Sequence, residues 1–316
     1  MNISIFSSLL CILCGLLLFL FSLDQIKDTL SKLFITKLKT YISNSVNTKF
    51  KSFLTGCIAS ALIQSSSGTT AIAISLLSSK YIKPKDCLGI IIGANLGTCL
   101  TTFILAINIE NVFLYILIIG VFLYFCINRF KKYCFLIIYI GLMLWGLDYL
   151  SNGFNGLLKE NHIYNIINNI QNSNLLSILF GILSTAIIQS SSGIIGIVEE
   201  MYCSNIINLQ SSIGIMLGAN IGTTLTGYFA TINTNGNTKK IINMNLIFNI
   251  VGVLLFFIIF IPFIKHIYFI QNKFFINNLK LSIAYAHFLF NVITVIFGYV
   301  FFDLFLLFLK KENSVT

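Results

Sequence analysis

Long apolar stretches alternate with short polar ones along almost the whole chain. Several of them approach or exceed the ~20 residues that a helix needs to cross a bilayer. Only 9% of the residues are charged, against 57% that are hydrophobic, which excludes an ordinary soluble domain. The pattern predicts an all-α polytopic membrane protein with about seven spans, near 3–23, 87–107, 112–128, 133–150, 211–232, 241–264 and 282–309.

The first apolar stretch lacks a basic leading region and a small-residue cleavage site. We therefore interpret it as a retained span and not as a signal peptide. The segment that follows, Asp24–Ser52, is rich in lysine and predicts an amphipathic helix in the membrane interface. Its apolar residues recur every four positions and so share one helix face: Leu30, Phe34, Leu38, Ile42 and Val46.

Two further apolar segments, Phe53–Ser79 and Leu175–Cys203, are interrupted by the same polar sequence. The first copy is Gln64-Ser65-Ser66-Ser67-Gly68 and the second is Gln189-Ser190-Ser191-Ser192-Gly193. Polar residues inside an apolar stretch are costly unless they contact each other or a ligand. Small residues also form ordinary helix-packing surfaces in membranes, and packing alone would explain a single motif of this kind. The duplication predicts two halves of one site.

A second motif follows each copy at the same distance. Gly93-Ala94-Asn95-Leu96-Gly97-Thr98 and Gly218-Ala219-Asn220-Ile221-Gly222-Thr223 are offset by 125 residues, as are the Q-S-S-S motifs. Twenty of 48 aligned positions are identical between 56–103 and 181–228. Leu18–Asp24 also resembles Leu142–Asp148. We predict one transmembrane transport domain over 1–316, with repeat 1 at about 3–128, repeat 2 at about 133–264 and an extra C-terminal span at 282–309.

The basic residues predict how the two Q-S-S-S segments sit in the membrane. If both segments cross it, the 20 Lys and Arg residues divide 11 to 9 between the two sides. If both are re-entrant helical hairpins, the division is 16 to 4, which the positive-inside bias favours. The hairpins then enter from opposite sides as inverted-topology repeats, an arrangement typical of secondary transporters. The Lys-rich loops and the C-terminus are predicted to be cytoplasmic, in a multi-pass protein of the cell membrane.

The two hairpin tips are predicted to bind a compact oxyanion such as phosphate. The second arm of each hairpin directs its positive helix end and free N–H groups at the tip. The substrate-binding candidates add hydroxyl and amide groups: Gln64, Ser65, Ser66, Ser67, Gln189, Ser190, Ser191 and Ser192. No Lys or Arg lies in either tip segment, so co-bound Na⁺ is predicted to balance the charge. The candidate Na⁺ ligands are neutral oxygens: Asn95, Thr98, Asn220, Thr223, Gln64 and Gln189.

Three ionisable residues are candidates for a role in coupling. Glu199 and Glu200 follow the second tip at about 10 Å, given a rise of ~1.5 Å per residue. An acid at that depth is a functional candidate, although a wetted pair near the outer vestibule is the alternative. His287 lies in the last span, where a helix-packing role is the alternative. The sequence contains no catalytic grouping and no metal site beyond Na⁺, so we predict no enzyme activity and no cofactor.

These paired motifs resemble the type II sodium-dependent phosphate cotransporter family in its bacterial form. The resemblance covers most of the chain and implies inverted repeats, phosphate at the Q-S-S-S tips and Na⁺ coupling. Two departures are visible. The H-x-x-F-N pattern that members often show in both late spans is present at His287–Asn291, but Asn245 replaces the first histidine of the earlier one. The PhoU-like regulatory domain of many bacterial relatives is not expected after the last span.

The leading hypothesis is a secondary active transporter that couples Na⁺ to the movement of inorganic phosphate. An exporter of phosphate, or a carrier of another oxyanion, is the alternative within transport. A membrane phosphate sensor or scaffold that does not transport is the alternative from another class. The predicted partners are inorganic phosphate, Na⁺ and the lipid bilayer, with a second copy of the chain and a separate PhoU-like regulator kept open. The net charge of +10 lies mostly between the apolar stretches, so no nucleic-acid partner is predicted.

Overall fold

The computed structural model describes residues 3–107, 112–127, 130–157, 161–230 and 236–311, and these residues form helices with no β-strand. The helices are α1 Ile3–Ser45, α2 Lys49–Ile63, α3 Ser66–Ser78, α4 Pro84–Gly97, α5 Cys99–Leu105, α6 Phe113–Cys126, α7 Lys131–Leu157, α8 Asn161–Gln171, α9 Asn174–Ile188, α10 Ser191–Cys203, α11 Leu209–Ala230, α12 Asn237–Ile258, α13 Phe260–Phe274, α14 Lys280–Val300 and α15 Phe302–Lys311.

Five helical segments in the described part of the chain are long and apolar enough to cross a membrane: α1, α4 with α5, α7, α12 and α14. Two of the seven predicted spans do not meet this criterion. Helix α6 is apolar but has only 14 residues. Helix α11 has 22 residues, but the polar residues of its G-A-N-I-G-T motif lower its hydropathy. The prediction of an all-α polytopic membrane protein is confirmed.

Helix α1 extends well beyond the predicted first span. It continues without a break to Ser45, because no Gly or Pro interrupts the segment after Leu23. The apolar stripe predicted for an interfacial helix is packed against protein instead. Leu38 and Ile42 are 2% and 0% exposed, in a cluster with residues of the first Q-S-S-S segment and of α4. The segment after Leu23 is therefore part of a continuous α1 and not a separate helix, and its location in the membrane interface stays a prediction.

Several other boundaries differ from the prediction for local reasons. The chain between the predicted span at 133–150 and the second Q-S-S-S segment contains the end of α7 and all of α8. Helix α12 ends one residue before Ile259, and α13 begins directly after it with Pro262 in its first turn, where the missing N–H is tolerated. The G-A-N helix of repeat 1 is divided at Thr98 into α4 and α5, and the last predicted span is divided at Phe301.

Helices α2 and α4 pack backbone to backbone through glycines. A Cβ atom added at Gly93 would lie 2.0 Å from the Phe53 carbonyl oxygen, and one added at Gly97 would lie 2.3 Å from the Cys57 carbonyl oxygen. The contacts advance in the same direction along both helices, so α2 and α4 run parallel. Two parallel neighbours require the chain between them to return, and α3 makes that return. Helices α2 and α3 are thus the arms of a helical hairpin with its tip at Gln64.

Repeat 2 has the same packing at the same offset of 125 residues. A Cβ atom at Gly218 would lie 2.0 Å from the Ile178 carbonyl oxygen, and one at Gly222 would lie 2.7 Å from the Ile182 carbonyl oxygen. Helices α9 and α11 therefore also run parallel. Helix α10 is the returning arm of a second hairpin, with its tip at Gln189.

Helix α14 shows how the two hairpins are oriented, because it contacts the base of each hairpin, at the end opposite the tip. At its start, Lys280 Nζ lies 2.5 Å from Glu200 Oε2, near the end of α10. In its last turn, the ring of Tyr299 lies 4.4 Å from Nζ of Lys49, the first residue of α2. The two hairpins therefore open towards opposite ends of α14.

Helices α1 and α7, which carry the equivalent sequences of the two repeats, pack against each other. A Cβ atom at Gly15 would lie 2.8 Å from the Gly146 carbonyl oxygen, and one at Gly153 would lie 2.8 Å from the Ile12 nitrogen. The contacts run in opposite directions along the two helices, so the pair is antiparallel. The same relation between the two repeats thus appears twice. The equivalent helices α1 and α7 run in opposite directions, and the two hairpins open in opposite directions.

Candidate functional site

Each hairpin turns at a glutamine in the left-handed region. Gln64 has φ 53° and ψ 34°, and Gln189 has φ 60° and ψ 23°. A non-glycine residue seldom adopts this conformation outside turns and strained sites. It ends the first arm and lets the second arm begin two residues later. The two tips are therefore built in the same way around the same residue.

The first serine of each motif stabilises the second arm. Ser65 Oγ accepts a hydrogen bond of 3.0 Å from the Gly68 N–H, and Ser190 Oγ accepts one of 3.1 Å from the Gly193 N–H. These are N-cap interactions, which satisfy backbone donors that have no partner within the helix. The other two serines of each motif lie in the first turn of the new helix.

A cavity of about 300 Å³ lies between the two tips. Ser66 and Ser67 line it from the first tip, and Gln189 lines it from the second. Further polar lining residues come from α3, α4, α11 and α12: Thr70, Asn95, Thr223, Thr224, Thr226 and Asn245. Every polar group that lines the cavity, among the described residues, is a neutral hydroxyl or amide.

The two tips face the cavity unequally. Ser67 is exposed to it, whereas Ser191 and Ser192 are buried in protein, at 9% and 4% exposure. Gln64 lines a different, mainly apolar cavity of about 150 Å³ together with Leu23 and Ile26 of α1. The cavity between the tips is thus lined by two serines of repeat 1 and by the glutamine of repeat 2.

Some of the predicted Na⁺ ligands line the cavity and others do not. Asn95 and Thr223 line the cavity, and the Asn95 amide nitrogen is buried without a hydrogen-bond partner among the described residues. The Asn220 amide donates to the Met216 carbonyl oxygen at 2.9 Å, and Thr98 Oγ1 donates to the Asn95 carbonyl oxygen at 2.6 Å. Neither Asn220 nor Thr98 lines the cavity.

A lysine contacts the second tip, which corrects the prediction that both tips lack a basic residue. Lys27 Nζ of α1 donates a hydrogen bond of 2.7 Å to Ser190 Oγ. The prediction failed because Lys27 lies 163 residues from Ser190 in sequence, in a segment that we assigned to the interface. The continuous α1 carries this side chain to the tip.

Glu199 and Glu200 have different surroundings although they are adjacent. Glu200 is paired with Lys280 at 2.5 Å. Glu199 is 1% exposed, and neither carboxyl oxygen has a hydrogen-bond partner in the described part of the chain. A buried carboxyl group without a partner is costly when ionised. The Glu199 carboxyl group, which follows the second tip, could therefore accept a proton or another hydrogen-bond partner.

His287 belongs to α14 and lies away from the cavity, against α5. Its Nδ1 is 3.3 Å from Thr102 Oγ1, and its carbonyl oxygen accepts from the Cys99 thiol at 3.7 Å. Its side chain is fully buried. These contacts describe a residue that packs α14 against repeat 1.

Sequence reasoning missed the residues that line the cavity outside the two motifs. Thr70, Thr226 and Asn245 are examples. A signal was available for Asn245, which occupies the first position of an N-x-x-F-N pattern in α12. The threonines carry no comparable signal, because threonines are also common at helix contacts in membranes.

A model of the Na⁺/Pi-cotransporter family matches the chain twice, over residues 18–152 and 142–276. The chain belongs to the Na⁺/Pi-cotransporter family. The two matches divide the chain as its internal repeat does. Membership makes the chain a multi-pass membrane transporter of the phosphate class and not an enzyme.

Similar proteins occur in several bacteria. The uncharacterized protein YqeW of Bacillus subtilis is 26% identical over 287 residues, which are 89% of this chain and 90% of YqeW. YjbB of Escherichia coli K12, whose name proposes inorganic phosphate export, is 25% identical over 290 residues. The YjbB protein of Salmonella typhimurium is 24% identical over 290 residues. The chain spans about half the length of the YjbB proteins, with 52% of each covered. No solved structure matches the chain.

Proposed function

We propose that this transporter couples Na⁺ to the movement of inorganic phosphate and holds the phosphate between its two Q-S-S-S tips. The observation that carries the proposal is the cavity lined by Ser66 and Ser67 of one tip and by Gln189 of the other. Hydroxyl and amide groups are adjustable donors, which suit an anion with several oxygen atoms. Asn95 adds a further amide group to the lining of the same cavity.

Na⁺ is proposed to share this cavity with phosphate. The described lining residues are uncharged, and two helix ends supply about half a positive charge each. Asn95, Gln189 and Thr223 offer neutral oxygens at the cavity, which suit a hard cation. Gln64, Thr98 and Asn220 do not line it, and their role as Na⁺ ligands stays a prediction.

We also propose that the two hairpins are re-entrant and enter the membrane from opposite sides. Their opening towards opposite ends of α14 supports this arrangement. Lys49 and Lys83 lie near the base of the first hairpin, whereas Lys280 lies at the base of the second. The positive-inside bias then assigns the lysine-rich end to the cytoplasm. A second copy of the chain and a separate PhoU-like regulator remain predicted partners.

Transport in proteoliposomes tests the function. Purified protein is reconstituted, and radiolabelled phosphate uptake is measured with an inward Na⁺ gradient and with choline replacing Na⁺ at constant ionic strength. We expect Na⁺ to accelerate uptake, and we expect unlabelled phosphate to compete better than sulfate. Binding without flux would favour a sensor or scaffold, whereas equal flux in choline would contradict Na⁺ coupling. The name of the YjbB relatives favours export, so efflux from phosphate-loaded vesicles is measured as well.

Proton coupling through Glu199 is the second candidate, because both of its buried carboxyl oxygens lack partners among the described residues. If Glu199 carries the coupled proton, an imposed pH gradient should drive phosphate uptake without Na⁺. The substitution Glu199→Gln should then abolish the response to the pH gradient while phosphate binding at fixed pH persists. Asp303→Asn, at an exposed carboxylate, is the control. No response to the pH gradient in the unsubstituted protein would contradict proton coupling.

A further inference from the structure

Helix α1 lies directly against the second tip. The first turn of α10 contacts α1 so closely that a Cβ atom added at Gly193 would lie 3.4 Å from side-chain atoms of both Leu20 and Leu23. One turn further along α1, Lys27 donates to Ser190 Oγ at 2.7 Å. Ser190 is 8% exposed, so this contact lies inside the protein. The ammonium group is thus held at the positive end of α10 by the packing of α1.

The contact fixes what the Ser190 hydroxyl can do. A serine hydroxyl has one donor proton and two acceptor lone pairs. Ser190 Oγ accepts from Lys27 and also from the Gly193 N–H at 3.1 Å. Both acceptor positions are therefore used, and its proton is left to donate. Ser192 Oγ lies 3.5 Å away, which is longer than the ~2.5–3.0 Å usual for O–H···O bonds, so a ligand oxygen can take this proton in its place. A lysine ammonium has three N–H donors, of which one is used in this contact.

The residue equivalent to Lys27 in repeat 2 is not a cation. The alignment that pairs Asp24 with Asp148 places Ser151 opposite Lys27 in repeat 2. Ser151 Oγ lies 2.8 Å from Ser204 Oγ, at the base of the second hairpin. The two tips therefore share a backbone and a motif, but the residue in repeat 2 that is equivalent to Lys27 is uncharged. That difference is not visible in either motif.

We infer that Lys27 is an anion-binding residue, whose ammonium group and the Ser190 hydroxyl together bind an oxygen of the transported oxyanion at the second tip. The inference rests on the proposed phosphate function and adds a residue and an asymmetry to it. Gln189 lines the cavity and directly precedes Ser190 in the chain, whereas Lys27 and Ser190 do not themselves line it. The oxyanion would therefore reach them at the start of α10, next to Gln189. Helix α10 supplies about half a positive charge, and Lys27 adds one more. The charge that Na⁺ must supply is smaller by the same amount.

Equilibrium binding of radiolabelled phosphate to the purified full-length chain tests this inference. Lys27→Gln should weaken phosphate binding at saturating Na⁺ by about tenfold or more, since a hydrogen bond to a charged group is lost. It should also make the remaining binding more dependent on Na⁺ concentration. Lys27→Arg keeps the charge and should retain most of the affinity. Lys37→Gln, at an exposed lysine of the same helix, is the matched control and should bind as the unsubstituted chain does.

A chemical rescue separates charge from packing. In a background without the native cysteines, Lys27→Cys is purified and treated with 2-aminoethyl methanethiosulfonate, which restores an ammonium group, or with the neutral methyl reagent. We expect the aminoethyl adduct to regain phosphate binding and the methyl adduct to remain weak. Equal binding by both adducts, or unchanged affinity in Lys27→Gln, would overturn the inference while phosphate binding itself stands. If the unsubstituted chain binds no phosphate, the proposed function fails first, and the inference fails with it.

Discussion

Ser65 and Ser190 cap the second arms of their hairpins, and the other serines of each motif lie in the first turn of those arms. Of the first-turn serines, Ser66 and Ser67 line the cavity, whereas Ser191 and Ser192 are buried and do not line it. The motif predicted the chemistry of the tip because a polar run in an apolar segment needs partners. It could not predict which hydroxyl faces the cavity, since that depends on how α1 and α14 pack around each tip.

Ser66→Ala should weaken phosphate binding by about tenfold or more, because it removes a hydrogen bond to a charged ligand. The fold should be intact, since the caps at Ser65 and Gly68 remain. Phosphate affinity and thermal stability in detergent are measured together, with the exposed Ser78→Ala on the same helix as the control. Ser191→Ala should also weaken transport, because an alternating-access cycle uses both tips. Unchanged affinity in Ser66→Ala would place phosphate elsewhere.

At the scale of helices, the glycines of the G-A-N motifs are packing residues as much as motif residues. Gly93 and Gly218 each lie against a carbonyl oxygen of the neighbouring hairpin arm. The sequence predicted most helices and their apolar character, but it placed boundaries poorly at Ser45, Ile259 and Phe301. These boundaries depend on which apolar faces are covered by neighbouring helices, and a single sequence does not contain that information.

Gly93→Ala should destabilise the protein by more than the ~1–3 kcal/mol typical of an overpacked core, because the added methyl meets backbone at 2.0 Å and not a flexible side chain. Gly227→Ala on α11 is the matched control, since a Cβ atom there meets nothing within 4 Å. Thermal unfolding of both variants in the same detergent is the measurement. Equal melting temperatures would mean that α2 and α4 are not in backbone contact.

At the scale of the whole molecule, the repeat was visible in the sequence because both motifs recur at an offset of 125 residues. The opposed opening of the two hairpins was predicted from lysine positions alone, and the contacts of α14 with Lys49 and Glu200 agree with it. Lys27 escaped the prediction, since nothing local distinguishes it from the other lysines of its segment. Long-range contacts of a single side chain are the part of a site that a sequence pattern conveys least.

The membrane orientation gives a separate test. Lys83 should lie on the cytoplasmic side and Lys273 on the opposite side, because they belong to different sides of the 16-to-4 division. Single cysteines at these two positions, in a background without native cysteines, are probed in intact cells with an impermeant thiol reagent. We expect position 273 to be labelled from outside and position 83 only after permeabilisation. Labelling of both positions from outside would contradict the re-entrant arrangement.

The backbone contacts through glycine have a mechanical consequence. Where the backbones of two helices are in contact at a glycine, the helices cannot slide past each other without a steric clash. Three pairs are therefore expected to move as rigid units: α2 with α4, α9 with α11, and α1 with α7. Side chains, which can change rotamer, mediate the contacts of α10 with α1 and α14 and the packing of α3 against α1. A movement that exposes the cavity first to one side of the membrane and then to the other is therefore expected at these side-chain contacts. The returning arms, which carry Ser66 and Ser191, would be the moving parts, and the parallel pairs would be the frame.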